Sequence, residues 1–131
     1  MSPNVTAVHT YIFEDVGVSA YHGAAPLLRN GNILSAAAGI LAVEAYHSGS
    51  IRTLLNAFGQ MPIDATAAIS AVRLALGGGV DYGVAQGIVV ADGNALAPSR
   101  SYRQVLNIVY GAAGAASGLF FPNGVNGPLH A

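Results

Sequence analysis

A long apolar helix with two ionisable residues in its stripe is the feature that most constrains this chain. Residues 33–58, ILSAAAGILAVEAYHSGSIRTLLNAF, place apolar side chains at helical spacing on one face, and Glu44 and His47 interrupt that face. The predicted stripe consists of Ala37, Ile40, Glu44, His47, Ile51 and Leu55. Because burial penalises the charged form of a carboxylate, Glu44 must be paired, protonated or bound to a metal.

A second amphipathic helix is predicted before it, over residues 6–28, and this helix carries Glu14 within its own apolar stripe. The turn at residues 29–32 is short, with Asn32 as the predicted N-cap, so the two helices are expected to pack antiparallel. At ~1.5 Å rise per residue, Glu14 and Glu44 then lie at comparable heights and face the same interior point.

The neighbouring face of the first helix carries Asp15, Ser19 and His22, which we interpret as a partly solvated side rather than a catalytic trio. Two arginines, Arg52 and Arg73, suit either of two roles, as partners for buried carboxylates or as exposed charges. The other histidines, His9, His22 and His130, are interpreted as surface or packed residues, with His22 the reserve ligand candidate.

The rest of the chain predicts shorter elements. Asp64 is the predicted N-cap of a third helix that ends at Gly77, and Gly59 is the predicted residue after the end of the second. A strand-like piece is expected at residues 87–91, and a fourth helix at residues 102–110, capped by Ser99 or Ser101. The turn-rich tail is expected to be held to the body by Phe120 and Phe121.

Composition excludes several classes of protein. With 131 residues, 53% hydrophobic and 8% charged, the chain is long and apolar enough for one folded domain. Five arginines, no lysine and a net charge of −1 give no basic field for nucleic acid and no Walker-type phosphate loop. Neither a secretory signal nor a transmembrane run is visible, so we expect a soluble protein of undetermined compartment without disulfides.

The spacing of Glu44 and His47 suggests metal chemistry. A Glu-x-x-His pair on one helix and a glutamate on the facing helix form half of a dinuclear carboxylate site in four-helix bundles. The candidate metal ligands are therefore Glu14, Glu44 and His47, and iron or manganese is the expected metal because hard oxygen donors and imidazole suit both. Alone, a Glu-x-x-His pair also occurs by chance on helix surfaces.

Longer motifs carry a resemblance to a family. The segments FEDVGVSAYHGAAPLL, ILSAAAGILAVEAYHSGSIRTLL and FFPNGVNG closely resemble the desiccation-related ferritin-like proteins. The resemblance implies an all-α, partial ferritin-like bundle: residues 1–131 form one domain, with a helical hairpin at 6–59 and a C-terminal extension at 60–131. The chain matches the third and fourth helices of the family bundle, and the helices that carry the other ligands have no counterpart.

Three arrangements would supply the missing half. In the first, a homodimer brings two sets of the three ligands around one dinuclear centre. In the second, residues 61–131 fold back to fill the positions of the missing helices, and no metal is bound. In the third, the chain is a fragment of a longer protein that has the N-terminal helices. The resemblance implies a stress- or desiccation-associated protein that oxidises Fe(II) or Mn(II) with dioxygen or peroxide. The alternative function is a non-catalytic structural or protective protein that has lost the metal. No catalytic residue is assigned.

Overall fold

A computed structural model describes residues 3–127 of the chain, and within that range the fold is all-α with four helices. The helices are α1 (Pro3–Ala24), α2 (Gly31–Ala57), α3 (Gln60–Gly77) and α4 (Tyr102–Tyr110), with 3-10 turns at Ala25–Leu27 and Val84–Gln86. The described part of the chain contains no strand, only an isolated bridge between Gly118 and Phe121. None of its helices combines the length and apolarity needed to cross a membrane.

The two long helices form the antiparallel hairpin that the sequence predicts, and their contact is the most extensive between any two elements. The predicted N-cap of α2 is wrong by two residues. Asn30, not Asn32, accepts hydrogen bonds through its side chain from the backbone N–H groups of Asn32 and Ile33, at 2.9 and 3.2 Å. The end of α2 is as predicted, because Gly59 follows the last turn with a φ of 94°.

Helix α3 begins at Gln60, so the prediction that Asp64 is its N-cap is wrong. Pro62 is the third residue of the helix, where a backbone N–H has no partner within the helix, so proline is tolerated there. Asp64 instead accepts a hydrogen bond from the Gln60 side chain at 2.8 Å, one helical turn away.

Helix α4 has the predicted bounds, and of the two candidate caps the structure selects Ser101. Its hydroxyl accepts from the backbone N–H of Gln104, while the Gln104 side chain accepts from the backbone N–H of Ser101. Gly111 follows α4 with a φ of 72°. This reciprocal capping explains why a nine-residue helix has well-defined ends in a turn-rich region.

The strand-like piece predicted at residues 87–91 does not form a strand. The chain there is irregular after the 3-10 turn, and the backbone carbonyls of Gly83 and Gly87 accept hydrogen bonds from Arg52 at 3.2 and 2.7 Å. A short apolar run predicts a strand, but the Gly87 carbonyl pairs with a buried guanidinium, and no strand forms beside this segment within residues 3–127.

The C-terminal extension packs on one side of the hairpin. The core cluster joins Ala7 and Tyr11 of α1, Leu55 of α2 and Val84 of the loop before α4. In the tail, the Phe120 ring lies edge-on to the Phe13 ring at 4.9 Å between centroids, and Phe121 contacts Tyr110, as expected for aromatic anchors.

This one-sided cover buries only the C-terminal half of the predicted stripe of α2. Leu55 is buried and Ile51 packs against the core, as predicted, whereas Ile40 and His47, both assigned to the core, are exposed. Helical spacing therefore identifies the buried side of α2 near its end, but not how far along the helix the extension covers that side. An exposed apolar face remains on α2 and includes Ile33, Ile40, Val43 and Leu54; we call it the open face.

Candidate metal-binding site

The hairpin brings together the three ligands predicted from the sequence. His47 Nδ1 of α2 lies 3.2 Å from Glu14 Oε2 of α1, and Glu44 forms a side-chain hydrogen bond with Glu14. The side chain of Glu14 is 18% exposed and that of His47 is 58% exposed. The group therefore lies at the edge of the α1–α2 contact, beside the open face. Within it, Glu14 is partly buried and His47 is exposed to solvent.

A glycine provides the space for this arrangement. A Cβ added to Gly17 would lie 2.6 Å from Glu44 Oε2 and 3.0 Å from its carboxyl carbon. The Glu44 carboxylate therefore rests directly against the backbone of α1. Although glycine lowers helix propensity by ~1 kcal/mol relative to alanine, here its missing side chain admits the glutamate from the facing helix.

Electrostatics in this group oppose ionisation of Glu44. Burial raises the pKa of Glu44 above its ordinary value, and the hydrogen bond to Glu14 and its negative charge raise it further, against the opposing effect of His47. Two carboxyls in contact cannot both hold a full negative charge cheaply without a cation between them. The pair is therefore a place where a proton or a metal ion lowers the repulsion.

As a set of donors, two carboxylates and one imidazole suit iron or manganese, but they are incomplete for a dinuclear centre. Between residues 3 and 127, no group of three or more His, Asp and Glu residues is arranged to hold a metal ion by itself. Glu14 contacts both of the other residues, yet the three donors do not converge on one common point. The fit is that of a partial ligand set.

The carboxylate of the hairpin with the most hydrogen bonds is that of Asp15, which the sequence analysis assigns to a partly solvated face. That interpretation is wrong. Its carboxylate accepts hydrogen bonds from Arg52 Nε at 3.1 Å, Arg52 Nη2 at 2.7 Å, Arg73 Nη2 at 3.1 Å and Ser48 Oγ at 2.6 Å. Burial opposes ionisation, but the hydrogen bonds and charges of the arginines lower the pKa of Asp15 below its ordinary value.

The ion network continues through the extension. Arg73 donates to Asp81 Oδ1 at 2.6 Å and to the Tyr11 hydroxyl at 2.9 Å, and Arg100 pairs with the other oxygen of Asp81. Its three arginines are at most 4% exposed. We call this set the ion network; its members are Tyr11, Asp15, Arg52, Arg73, Asp81 and Arg100. It ties α1, α2, α3 and the segment before α4 together, so its first role is to dock the extension.

Of the two roles left open for Arg52 and Arg73, the structure selects the buried one. The sequence indicates the buried role of Arg52 only indirectly. Ser48 and Arg52 are one helical turn apart and share a face of α2 that does not include His47. Asp15 immediately follows Glu14, so the two carboxylates point to different neighbours on adjacent sides of α1. Periodicity alone gives no means of choosing which side the extension will cover.

The remaining histidines take no part in the group at Glu14. His9 is exposed on α1. The Nδ1 of His22 lies 2.9 Å from the carbonyl oxygen of Ala97, so that nitrogen acts as a donor to the loop before α4. Ser19, also assigned to the solvated face, is buried, and its hydroxyl accepts from Arg100. His130 lies outside the described residues.

The antiparallel hairpin with paired glutamates and a histidine at its contact has the arrangement of one half of a ferritin-type bundle. Consistent with that, residues 2–57 match the family model of the Ferritin-like domain. The match covers the hairpin, which is less than half of the 131-residue chain, and assigns no narrower family. Comparisons with curated proteins and with solved structures found no significant match.

Proposed function

We propose that the protein binds a dinuclear iron or manganese centre between two copies of the chain, each copy supplying Glu14, Glu44 and His47. The contact of Glu14 with both other residues at the edge of the hairpin is the observation that supports this most directly. In keeping with the resemblance of its motifs, we assign the protein a role in stress or desiccation, where it limits free metal.

The open face of α2 supports a second copy as the source of the missing ligands. Ile40 and Val43 are 42% and 47% exposed, and His47 lies on the same side of the helix, about one turn from Val43 and two turns from Ile40. Exposed apolar side chains that flank an incomplete ligand set are best buried by a surface that also brings ligands. A two-fold partner meets both needs, because it carries the same apolar face and the same three donors.

In the bound state, Glu14 and Glu44 would hold the cations through their carboxylates and His47 would complete each half through a ring nitrogen. Metal ligands must be deprotonated, and the hydrogen bond between Glu14 and His47 must be given up, so metal affinity is expected to rise with pH. Fe(II) or Mn(II) would be the substrate, oxidised by dioxygen or peroxide. Gly17 leaves the space in which the Glu44 carboxylate lies against the α1 backbone.

The decisive experiment combines elemental analysis with mass in solution. Purified protein is incubated anaerobically with Fe(II) or with Mn(II), desalted, and examined for bound metal and for molar mass by light scattering. We expect a dimer that retains one dinuclear centre, which is one ion per chain. A protein that stays monomeric and retains no metal under these conditions would overturn the proposal.

Matched variants separate ligand loss from general damage. Glu44→Ala and His47→Ala should abolish metal retention, while His9→Ala, at an exposed histidine of the same hairpin, should leave it unchanged. Ile40→Asp on the open face should give a monomer without metal. Val72→Asp, at an exposed apolar residue of α3, should leave both the dimer and the metal intact. Metal retained by a monomeric Ile40→Asp protein would contradict the shared centre.

A structural role without metal is the second candidate function, because the described residues of one chain do not converge on a metal by themselves. In that case the ion network and the core would serve a structural function only. A proton between the carboxyl groups of Glu14 and Glu44 would then relieve their repulsion in place of a metal. The candidates differ in one measurement. Metal should raise the melting temperature of the native protein only if the centre forms, and this rise should vanish in Glu44→Ala.

A further inference from the structure

The ion network contains more positive than negative charge. Arg52, Arg73 and Arg100 contribute three cations, and the carboxylates that pair with them are Asp15 and Asp81, which contribute two anions. All three guanidinium groups are almost completely buried. A buried charge without a counter-charge is costly, so one surplus cation in this position requires compensation.

The hydrogen bonds of the network show where the surplus lies. Arg52 is satisfied, because its nitrogens donate to Asp15 and to the backbone carbonyls of Tyr82, Gly83 and Gly87. In contrast, the buried Nε–H groups of Arg73 and Arg100 have no acceptor among residues 3–127. Burial lowers the pKa of Arg100, and the charge of Arg73 acts in the same direction although Asp81 opposes both. Burial also disfavours the charge of Arg73, but the hydrogen bond to Asp81 and the neighbouring carboxylates raise its pKa. The unpartnered N–H groups therefore lie at the Arg73–Arg100 end, and the charge that is least compensated there is that of Arg100.

A cavity of about 220 Å³ adjoins this end of the network. Its polar side is formed by Asp15, Asp81 and the three arginines, and its other walls are apolar. The apolar walls come from α1, α2 and the loop before α4, and include Val18, Ala45, Ile88 and Val90. An apolar cavity of ~150 Å³ holds a benzene molecule, so this one has room for a ligand of about eight non-hydrogen atoms.

We propose that this cavity is a binding site for a small organic monoanion, with a carboxylate head at Arg73 and Arg100 and an apolar body against the loop before α4. One negative charge balances the three arginines and two aspartates, and guanidinium groups match a carboxylate through paired N–H donors. The apolar walls favour a short hydrocarbon body over a bare inorganic ion. The site is formed by one chain and is separate from the proposed metal centre.

The test is calorimetric titration of the native protein with hexanoate, with hexylammonium and inorganic phosphate as comparison probes. We expect hexanoate to bind with one site per chain and to raise the melting temperature, and hexylammonium to bind at least tenfold more weakly. Phosphate should also bind at least tenfold more weakly, because it leaves the apolar walls bare. Equal binding of hexylammonium, tighter binding of phosphate, or no binding of hexanoate would each overturn the proposal.

Two kinds of variant locate the site. Ala45→Phe places a ring at a helix position that lines the cavity and should abolish hexanoate binding, whereas Ala71→Phe, at an exposed alanine of α3 outside the cavity, should not change it. Arg100→Met balances the network at two charges of each sign and should weaken hexanoate at least tenfold. An unchanged affinity for hexanoate in a folded Arg100→Met protein, or in Ala45→Phe, would overturn the proposed location of the site. If Arg100→Met does not fold, the affinity of Ala45→Phe for hexanoate is the test.

Discussion

Asp15 of α1 and Arg52 of α2 are joined by two parallel hydrogen bonds, with Nε 3.1 Å from Oδ1 and Nη2 2.7 Å from Oδ2. This two-point pairing fixes the rotation of one helix against the other, since a guanidinium fork matches a carboxylate in one plane. It also defines the side of the hairpin that the extension covers, because Arg73 reaches the same carboxylate from α3. The group at Glu14 is left beside the open face as a consequence.

Removal of the Asp15 carboxylate should be strongly destabilising. Asp15→Ala leaves Arg52 and Arg73 buried with less negative charge, and breaking such a pair from one side costs about 3–5 kcal/mol. Asp64→Ala, at an exposed aspartate whose contact is a single hydrogen bond to Gln60, should cost less than about 1 kcal/mol. Urea unfolding followed by circular dichroism measures both. Equal losses in the two variants would contradict a special role for Asp15.

Gly23 should not tolerate a side chain. A Cβ at this position would lie 1.8 Å from the carbonyl oxygen of Arg100, and the backbone N–H of Arg100 donates to Ser19 at 2.9 Å close by. Gly23→Ala must push this segment away from α1, so we expect a loss of ~1–3 kcal/mol in the free energy of unfolding.

Gly39→Ala provides the control, since no atom lies within 4 Å of a Cβ there. This substitution within α2 should stabilise by up to ~1 kcal/mol through helix propensity. Thermal or urea unfolding of the two variants should therefore give shifts of opposite sign. A neutral Gly23→Ala would mean that the contact between α1 and the segment before α4 is easily displaced.

Tyr11 should make the protein sensitive to strong alkali. Burial raises the pKa of its hydroxyl to about 12, and the nearby aspartates add to this although Arg73 and Arg52 oppose it. Since the folded pKa exceeds the unfolded value of ~10, the contribution is fully present below pH ~10 and is lost as the pH rises towards ~12. That contribution amounts to about 3 kcal/mol.

Ultraviolet titration of tyrosinate should show one of the six tyrosines ionising last, together with unfolding. Tyr11→Phe should remove this late step and flatten the fall in stability over the same pH range, although it lowers stability at neutral pH through loss of hydrogen bonds to Arg73 and Tyr82. An unchanged alkaline profile in Tyr11→Phe would contradict the assignment.

The capping box at the start of α4 should contribute measurably to stability. Ser101→Ala removes the acceptor for the backbone N–H of Gln104, and loss of such a cap typically costs ~1 kcal/mol. Ser99→Ala, two residues earlier and outside the capping box, should change stability by less than half of that. Urea unfolding distinguishes them, and Ser101→Gly should recover most of the loss because glycine is tolerated at an N-cap.

Local chemistry in the sequence determined the elements themselves. The two long helices, the short turn between them and the fourth helix follow from periodicity, glycine and hydrogen-bonding side chains within a few residues of one another, whereas the structure chose Ser101 over Ser99 as the cap. The contact between Glu14 and Glu44 was also predictable, because an antiparallel hairpin with a short turn fixes which residues lie at equal height. These features depend on short-range geometry.

Tertiary structure alone decided how far the buried surface extends beyond the predicted stripes. Tyr11 and Leu55 of those stripes are buried as predicted, but the burial of Arg52 depends on the extension. Helix α2 is apolar or small nearly all round, so its own pattern does not distinguish the face of Arg52 from the face of His47. Residues more than twenty positions from Arg52 in the sequence determine the face that the extension covers. Arg73 pairs with Asp15, Asp81 pairs with Arg73 and Arg100, and these contacts dock the extension on that face. A buried ion network depends on partners that are distant in sequence, whereas helical periodicity reports only on neighbours within a few turns.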